Sequence, residues 1–172
     1  MALTQDTLDV VRLLCDVTLR MIEGELYQLT KTGDASITEE EHFEIIRRKT
    51  AFLFSGCAEI GGLLGNCTAE QRVALREYGF DLGIAFQIRD DIFDYTSSDA
   101  DIGKPVGNDL KEKKLTLPLI YSINQAPRRE SKKILGLIKN GPESDERSRT
   151  VREFVTQYGG LVYAEKTAIE YC

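Results

Sequence analysis

Phe86-Gln87-Ile88-Arg89-Asp90-Asp91-Ile92-Phe93-Asp94, followed a loop later by Gly103-Lys104-Pro105-Val106-Gly107-Asn108-Asp109, is the stretch on which the reading of this chain turns. At 3.6 residues per turn, Asp90, Asp91 and Asp94 fall within roughly a third of a helix circumference, and Gln87 falls in the same arc one turn earlier. Carboxylates so close raise one another's pKa and cost stability when all are ionised, unless cations neutralise them. Magnesium suits such a face, because it takes hard oxygen ligands and typically keeps one or two carboxylates while phosphate oxygens and water complete the octahedron. A calcium loop of the EF-hand type is excluded, since neither Asp94 nor Asp99 is followed by the glycine at the sixth and the glutamate at the twelfth position. Lys104, between Gly103 and Pro105, has a backbone setting that lets it approach a phosphate oxygen as a point charge.

Working outward, residues 69 to 95 are expected to form one helix, apolar on nearly every side except where the aspartates emerge, as a central buried helix reads. Upstream, Val10, Leu14, Val17 and Met21, with Val11, Thr18, Ile22 and Leu29, recur at three- and four-residue steps and make residues 6 to 31 an amphipathic helix ended by Gly33-Asp34-Ala35-Ser36. Thr38 followed by Glu41 is a capping-box signature; Phe43, Ile46, Leu53, Cys57, Ile60 and Leu64 then trace one face of a second helix that Gly65-Asn66 stops. Downstream, residues 96 to 114 read as a polar loop beside the acidic face. Short helices follow from Thr116-Pro118 to about 123, over 128 to 139, over 144 to 158, and from 161 onward. With no strand-like alternation, the fold class is all-α, a helix bundle, and residues 1 to 172 are expected to form a single domain.

A formal net charge of −6 argues against a nucleic-acid surface, and the basic clusters, Arg128-Arg129 among them, are short and read as solvated helix faces. Cys15, Cys57, Cys67 and Cys172 lack C-x-x-C spacing, and a lone His42 offers no zinc partner set; the cysteines read as small apolar fillers in a reducing compartment. Nothing approaches the ~18 uninterrupted apolar residues of a membrane span, and the start Met-Ala-Leu-Thr-Gln-Asp lacks the regions of a signal peptide. A cytoplasmic protein without a membrane span is the expectation.

Several motifs together resemble the trans-isoprenyl (polyprenyl) diphosphate synthase family, octaprenyl and heptaprenyl synthases included. Gly24-Glu25-Leu26-Tyr27-Gln28 looks like the family's GExxQ segment, and Lys49-Thr50-Ala51-Phe52-Leu53-Phe54 like its KTAxLF helix. The stretch from Phe86 to Asp94 is similar to the second aspartate-rich motif; Gly103-Lys104 through Asp109-Leu110 and Lys113-Lys114-Leu115-Thr116-Leu117-Pro118 match the GKxxGxDLxxxKxTLP stretch. The resemblance implies the class I isoprenoid synthase fold, incomplete at both ends, because the family's first DDxxD cluster and its last helices have no counterpart here. It implies magnesium-dependent condensation of an allylic diphosphate with isopentenyl diphosphate, with isoprenoid diphosphates as partners, a homodimer or self-association, and no activity of this chain alone. A silent accessory subunit and a fragment of a class I terpene cyclase are the readings from other classes.

By resemblance, Lys49 and Thr50 contact diphosphate, Lys104 joins them, Asp90, Asp91 and Asp94 hold Mg2+, and Asp109 and Lys114 belong to the diphosphate set, with Lys113 the alternative to Lys114. Gln87 is either a hydrogen-bond anchor between helices or a substrate contact. Glu25 and Gln28 are equally a surface pair on one helix face. Gly79 and Gly83, costly inside a helix, either admit a close neighbour or, with Phe86, keep a groove open for the isoprenoid tail.

Overall fold

In a computed structural model, residues 5–96, 108–142 and 144–172 are described, and their regular structure is entirely helical. Helix α1 spans Gln5–Lys31, α2 Glu39–Ile46, α3 Phe52–Leu64 and α4 Ala69–Thr96. Then come a single turn α5, Asn108–Lys111, and four short helices: α6 Leu117–Gln125, α7 Arg128–Asn140, α8 Asp145–Gln157 and α9 Gly160–Glu170. None is long and apolar enough to cross a membrane.

Local chemistry sets several of these starts. The Thr38 N–H donates to Glu41 Oε2 at 2.9 Å while the Glu41 N–H donates to Thr38 Oγ1 at 3.2 Å, so two orphan donors at the start of α2 are satisfied reciprocally. Thr68 and Gln71 repeat the device at the start of α4, at 2.9 and 3.2 Å. The second helix departs from expectation: between α2 and α3 the five residues Arg47–Ala51 form a π turn, so the run is not one continuous α-helix.

The chain divides into two compact units. The first comprises residues 5–29, 43–87 and 171–172. Val17, Ile45, Ile46, Ala51, Ile84 and Ala85 are its buried apolar residues, Phe52 meets Phe80 edge-on at 5.2 Å, and the Arg20 guanidinium lies 4.4 Å over the Phe52 ring. The two glycines of α4 explain themselves here. A Cβ on Gly79 would sit 2.7 Å from the Phe54 carbonyl oxygen, and one on Gly83 would sit 2.6 Å from the Ala51 Cα, so both bring backbone against backbone. Of the two readings of Gly79 and Gly83, these contacts support the close neighbour. Gly83→Ala is therefore expected to lose about 1–3 kcal/mol by overpacking, although alanine is worth ~1 kcal/mol more than glycine in a helix. A denaturant midpoint at or above that of wild type would contradict this packing.

The second unit comprises residues 30–42, 88–142 and 144–170. Leu117, Leu119 and Ile120 of α6 are buried with Val151 and Val155 of α8, Ile134 and Ile138 of α7 and Ala164 of α9. Pro118 occupies the first turn of α6, where its missing N–H costs nothing, and Tyr121 stacks on Tyr163 at 4.0 Å.

Helix α4 contributes to each unit, and it is buried on one side rather than all round. Ile84, Ala85, Ile88, Ile92 and Tyr95 are buried, whereas Val73, Tyr78, Phe86 and Phe93 are exposed, Phe86 by 53 %. The cysteines also depart from the core-filling expectation: Cys15, Cys57 and Cys172 lie at the surface and Cys67 is half-buried.

Candidate functional site

The residues singled out in the sequence fall into two groups, one in each unit. In the first unit the group is built on the π turn. That turn carries Lys49 and Thr50, and their adjacent polar side chains reach different helices. The Lys49 ammonium donates to Gln28 Oε1 at 2.6 Å and pairs with Glu25 Oε2 at 2.8 Å, both on α1. Gly24 makes this approach possible, because a Cβ there would lie 2.8 Å from the Lys49 backbone nitrogen and from the Arg48 Cβ. Glu25 and Gln28 are thus not a mere surface pair: they converge on the lysine. Thr50 Oγ1 donates to Gln87 Oε1 at 2.7 Å, which gives Gln87 the anchoring role of its two readings. Phe54 and Phe86 lie tilted against one another, their ring centroids 5.1 Å apart.

In the second unit the group is acidic. Asp90, Asp91 and Asp94 occupy the seam of α4 between its buried and exposed sides, so Asp90 is exposed, Asp94 half-buried and Asp91 buried. The Asp91 Oδ2 lies 3.1 Å from the Nε2 of His42, itself buried. Asp94 Oδ2 accepts the Asp109 N–H at 3.1 Å, which ties the start of α5 to α4. Burial first, then the charges of Asp91 and Asp94, push the Asp109 carboxyl up to about 7 against the pull of Lys114, whose Nζ stands 4.0 Å from Asp109 Oδ1. Lys114 also pairs with Glu112, while Lys113 turns away to donate to the Lys139 carbonyl at 3.1 Å; of the two lysines the structure sets Lys114 beside the acids. Burial, opposed by its 3.1 Å hydrogen bond with Thr116, pushes the Tyr95 phenol upward, and Asp109, Asp91 and Asp94 add to it. Lys104 lies outside the described residues.

Two contributors were not read from the sequence. His42 and Asp91 are 49 residues apart, and no local spacing announces their contact. Arg147, buried in α8, donates from Nη2 to the Leu110 carbonyl at 3.0 Å and from Nη1 to the Gly141 carbonyl at 3.2 Å, so it holds the α5 turn that carries Asp109. A basic residue in the first turn of an amphipathic helix gives no sign of that.

Among the described residues, no three carboxylate, histidine or cysteine side chains close into a metal cage. Magnesium does not require one, since it binds commonly through one or two carboxylates with phosphate oxygens and water in the remaining positions. The observation that bears on the fit is electrostatic. Asp109 is raised by burial first and then by the neighbouring charges of Asp91 and Asp94, and a hard divalent cation relieves the second of these directly. The donor set fits magnesium.

Residues 1–155 match the polyprenyl synthetase family. Over 135 residues the chain is 38% identical to the octaprenyl diphosphate synthase of Escherichia coli (strain K12), a match covering 78% of this chain and 42% of that one. It is 33% identical over 165 residues to the octaprenyl diphosphate synthase of Haemophilus influenzae, covering 96% and 50%. Among solved structures, the decaprenyl diphosphate synthase from Rhodobacter capsulatus is similar with a TM-score of 0.85 at 36% identity, and the polyprenyl synthase from Caulobacter crescentus CB15, complexed with calcium and isoprenyl diphosphate, with a TM-score of 0.90 at 32%. Each likeness covers 95% of this chain and 50% of the other. The fold is thus of the all-α isoprenoid synthase class. The chain belongs to the polyprenyl synthetase family, and it spans about half the length of the curated relatives it matches.

Proposed function

We propose that this chain carries the second metal-binding and diphosphate-binding share of a prenyltransferase that condenses an allylic diphosphate with isopentenyl diphosphate. The acidic group of the second unit is the observation that carries the reading: Asp91 is held by His42, Asp94 accepts the Asp109 N–H, and Asp109 feels the charge of both, an arrangement with little structural purpose of its own. Asp90, Asp91 and Asp94 would hold Mg2+, which when bound supplies positive charge against a diphosphate leaving group. In such a reaction the allylic C–O bond breaks, negative charge grows on the departing diphosphate and positive charge on the allylic carbon. Lys49, preset by Glu25 and Gln28, acts on diphosphate oxygen as a fixed cation, and Thr50, bonded to Gln87, holds the π turn that aims it. Lys104 and Lys114 are further diphosphate contacts in this reading. Phe86, exposed and lying against Phe54, offers apolar surface to an isoprenoid tail.

A cytoplasmic setting and association of two copies belong to the same reading. The latter is supported by the apolar residues that α1 leaves exposed, Leu8, Val11, Ile22, Leu26 and Leu29 among them.

The test is calorimetric titration of the chain with pyrophosphate, with Mg2+ and after EDTA. Binding is expected only with the cation, and Asp90→Ala combined with Asp94→Ala is expected to abolish it. Equal heats after chelation, or wild-type binding by the double variant, would defeat the reading.

A further inference from the structure

We propose that His42 is a positioning residue for the Asp91 carboxylate. It holds one carboxylate oxygen from the protein side, so that the group meets a bound cation in a fixed orientation. The inference rests on the reading of Asp91 as a magnesium ligand. An ionised carboxylate only accepts hydrogen bonds, so the ring nitrogen facing it, Nε2, carries the proton of the 3.1 Å contact. Both side chains are nearly shut off from water, at 8 % and 4 % exposure, so solvent does not compete for the bond. Its direction matters because of what surrounds Asp91. Asp94 and Asp109 lie in the same acidic group, and repulsion alone would turn Asp91 away from them. The imidazole fixes Oδ2, and with it the plane of the whole carboxylate.

The ring is itself well founded. Glu41 completes the capping box with Thr38 and takes the Lys31 ammonium at 2.6 Å, and the His42 N–H donates to the Thr38 carbonyl at 3.0 Å. The first turn of α2, which carries the histidine, is therefore tied down. Metal-ligating groups are generally oriented by such an outer partner, and losing it typically costs 10–100-fold in metal affinity. A satisfied buried pair with only a structural role would show the same distance, so the experiment has to separate the two.

Because His42 is the chain's one histidine, its ring signals in a nitrogen-15 NMR spectrum are unambiguous. Addition of Mg2+ and pyrophosphate to the wild-type chain is expected to move them in step with saturation; unmoved signals at saturation would overturn the proposal without any variant. Calorimetry then compares His42→Phe, which keeps bulk but cannot donate, with His42→Gln, which restores a donor. The first is expected to bind magnesium pyrophosphate about 10–100-fold more weakly and the second to recover most of that loss. A His42→Phe chain with a lowered melting temperature in EDTA but unchanged affinity would assign the histidine to stability alone. Asp91→Ala keeps the two claims apart: if it too binds normally, the magnesium reading of Asp91 fails, whereas if it loses binding while His42→Phe does not, only the positioning role fails.

Discussion

Lys49→Met is expected to weaken binding of magnesium pyrophosphate by at least ten-fold while leaving the melting temperature of the chain close to that of wild type. The ammonium is held by a carboxylate and an amide oxygen on α1, at 2.8 and 2.6 Å, and its side chain is about one-third exposed. An ion pair that open to water is worth little, on the order of 1 kcal/mol or less, so its removal costs the fold little. A diphosphate carries several charges, and one fixed cation about 4 Å from it gains about 4 kcal/mol at an effective dielectric constant near 20, before the lost Glu25 contact is subtracted. The remaining few kcal/mol correspond to the predicted loss. Glu25→Gln is expected to act in the opposite direction, because it removes the anion that competes for Lys49. Lys49→Arg is not expected to rescue, since a planar fork cannot repeat the contacts of a compact ammonium. Wild-type affinity in Lys49→Met, or a loss explained wholly by unfolding, would remove Lys49 from the diphosphate set.

The second large effect is on stability and depends on pH. In the metal-free chain the Asp109 carboxyl titrates at about 7 instead of 3.8. A raised carboxyl pKa means that the folded state holds its proton when the unfolded state has already released it. The folded state therefore loses stability as pH climbs from about 4, and the full penalty is in place above about 7. A rise from the ordinary carboxylate value to about 7 corresponds to a ceiling of about 4 kcal/mol. Asp109→Asn is expected to be more stable than wild type by a few kcal/mol at pH 8, with the gap closing toward pH 4. Denaturant melts in EDTA across that range measure it. Magnesium at pH 8 should stabilise wild type more than the variant. A gap of the same size at both ends of the range would mean that Asp109 acts through shape, not charge.

The sequence was informative where the physics is local. Periodicity located α1, α4 and the later helices to within a few residues, and the Thr38–Glu41 capping box stands as drawn. Counting apolar residues misled for α4, because burial depends on the angle at which each residue stands. Tyr78 and Phe86 are as apolar as their buried neighbours, yet face outward. Of the candidate site, the residue types were legible and the connections were not. Lys49 reaches across 21 residues to Gln28, Thr50 across 37 to Gln87, and His42 across 49 to Asp91. Such contacts arise when helices pack. The lysine at 113 or 114 is a smaller instance: nothing in Lys113-Lys114 tells which one turns toward Asp109, and backbone geometry decides it, Lys113 having a φ of 57°.

The π turn at Arg47–Ala51 has a bearing on how this gene can change over time. Five residues there are wound with i→i+5 bonds, so the flanking helices are out of phase with one continuous α-helix. Deleting one residue between 47 and 51 would let the run relax to ordinary winding, and that relaxation would be locally favourable. Side chains beyond the turn would keep nearly their present facing, because the cut removes about 100° of helical rotation that the wide turn had absorbed, and the change would fall on Lys49 and Thr50 themselves. Lys49 could keep Gln28, or Thr50 could keep Gln87, but one rotation cannot serve both. Loops such as the one after Leu64 can gain or lose a residue cheaply; here a three-nucleotide deletion, harmless to composition and reading frame, would pull apart two adjacent residues' loyalties to different helices. Lineages descended from this sequence should vary in the length of their loops before they vary between 47 and 51.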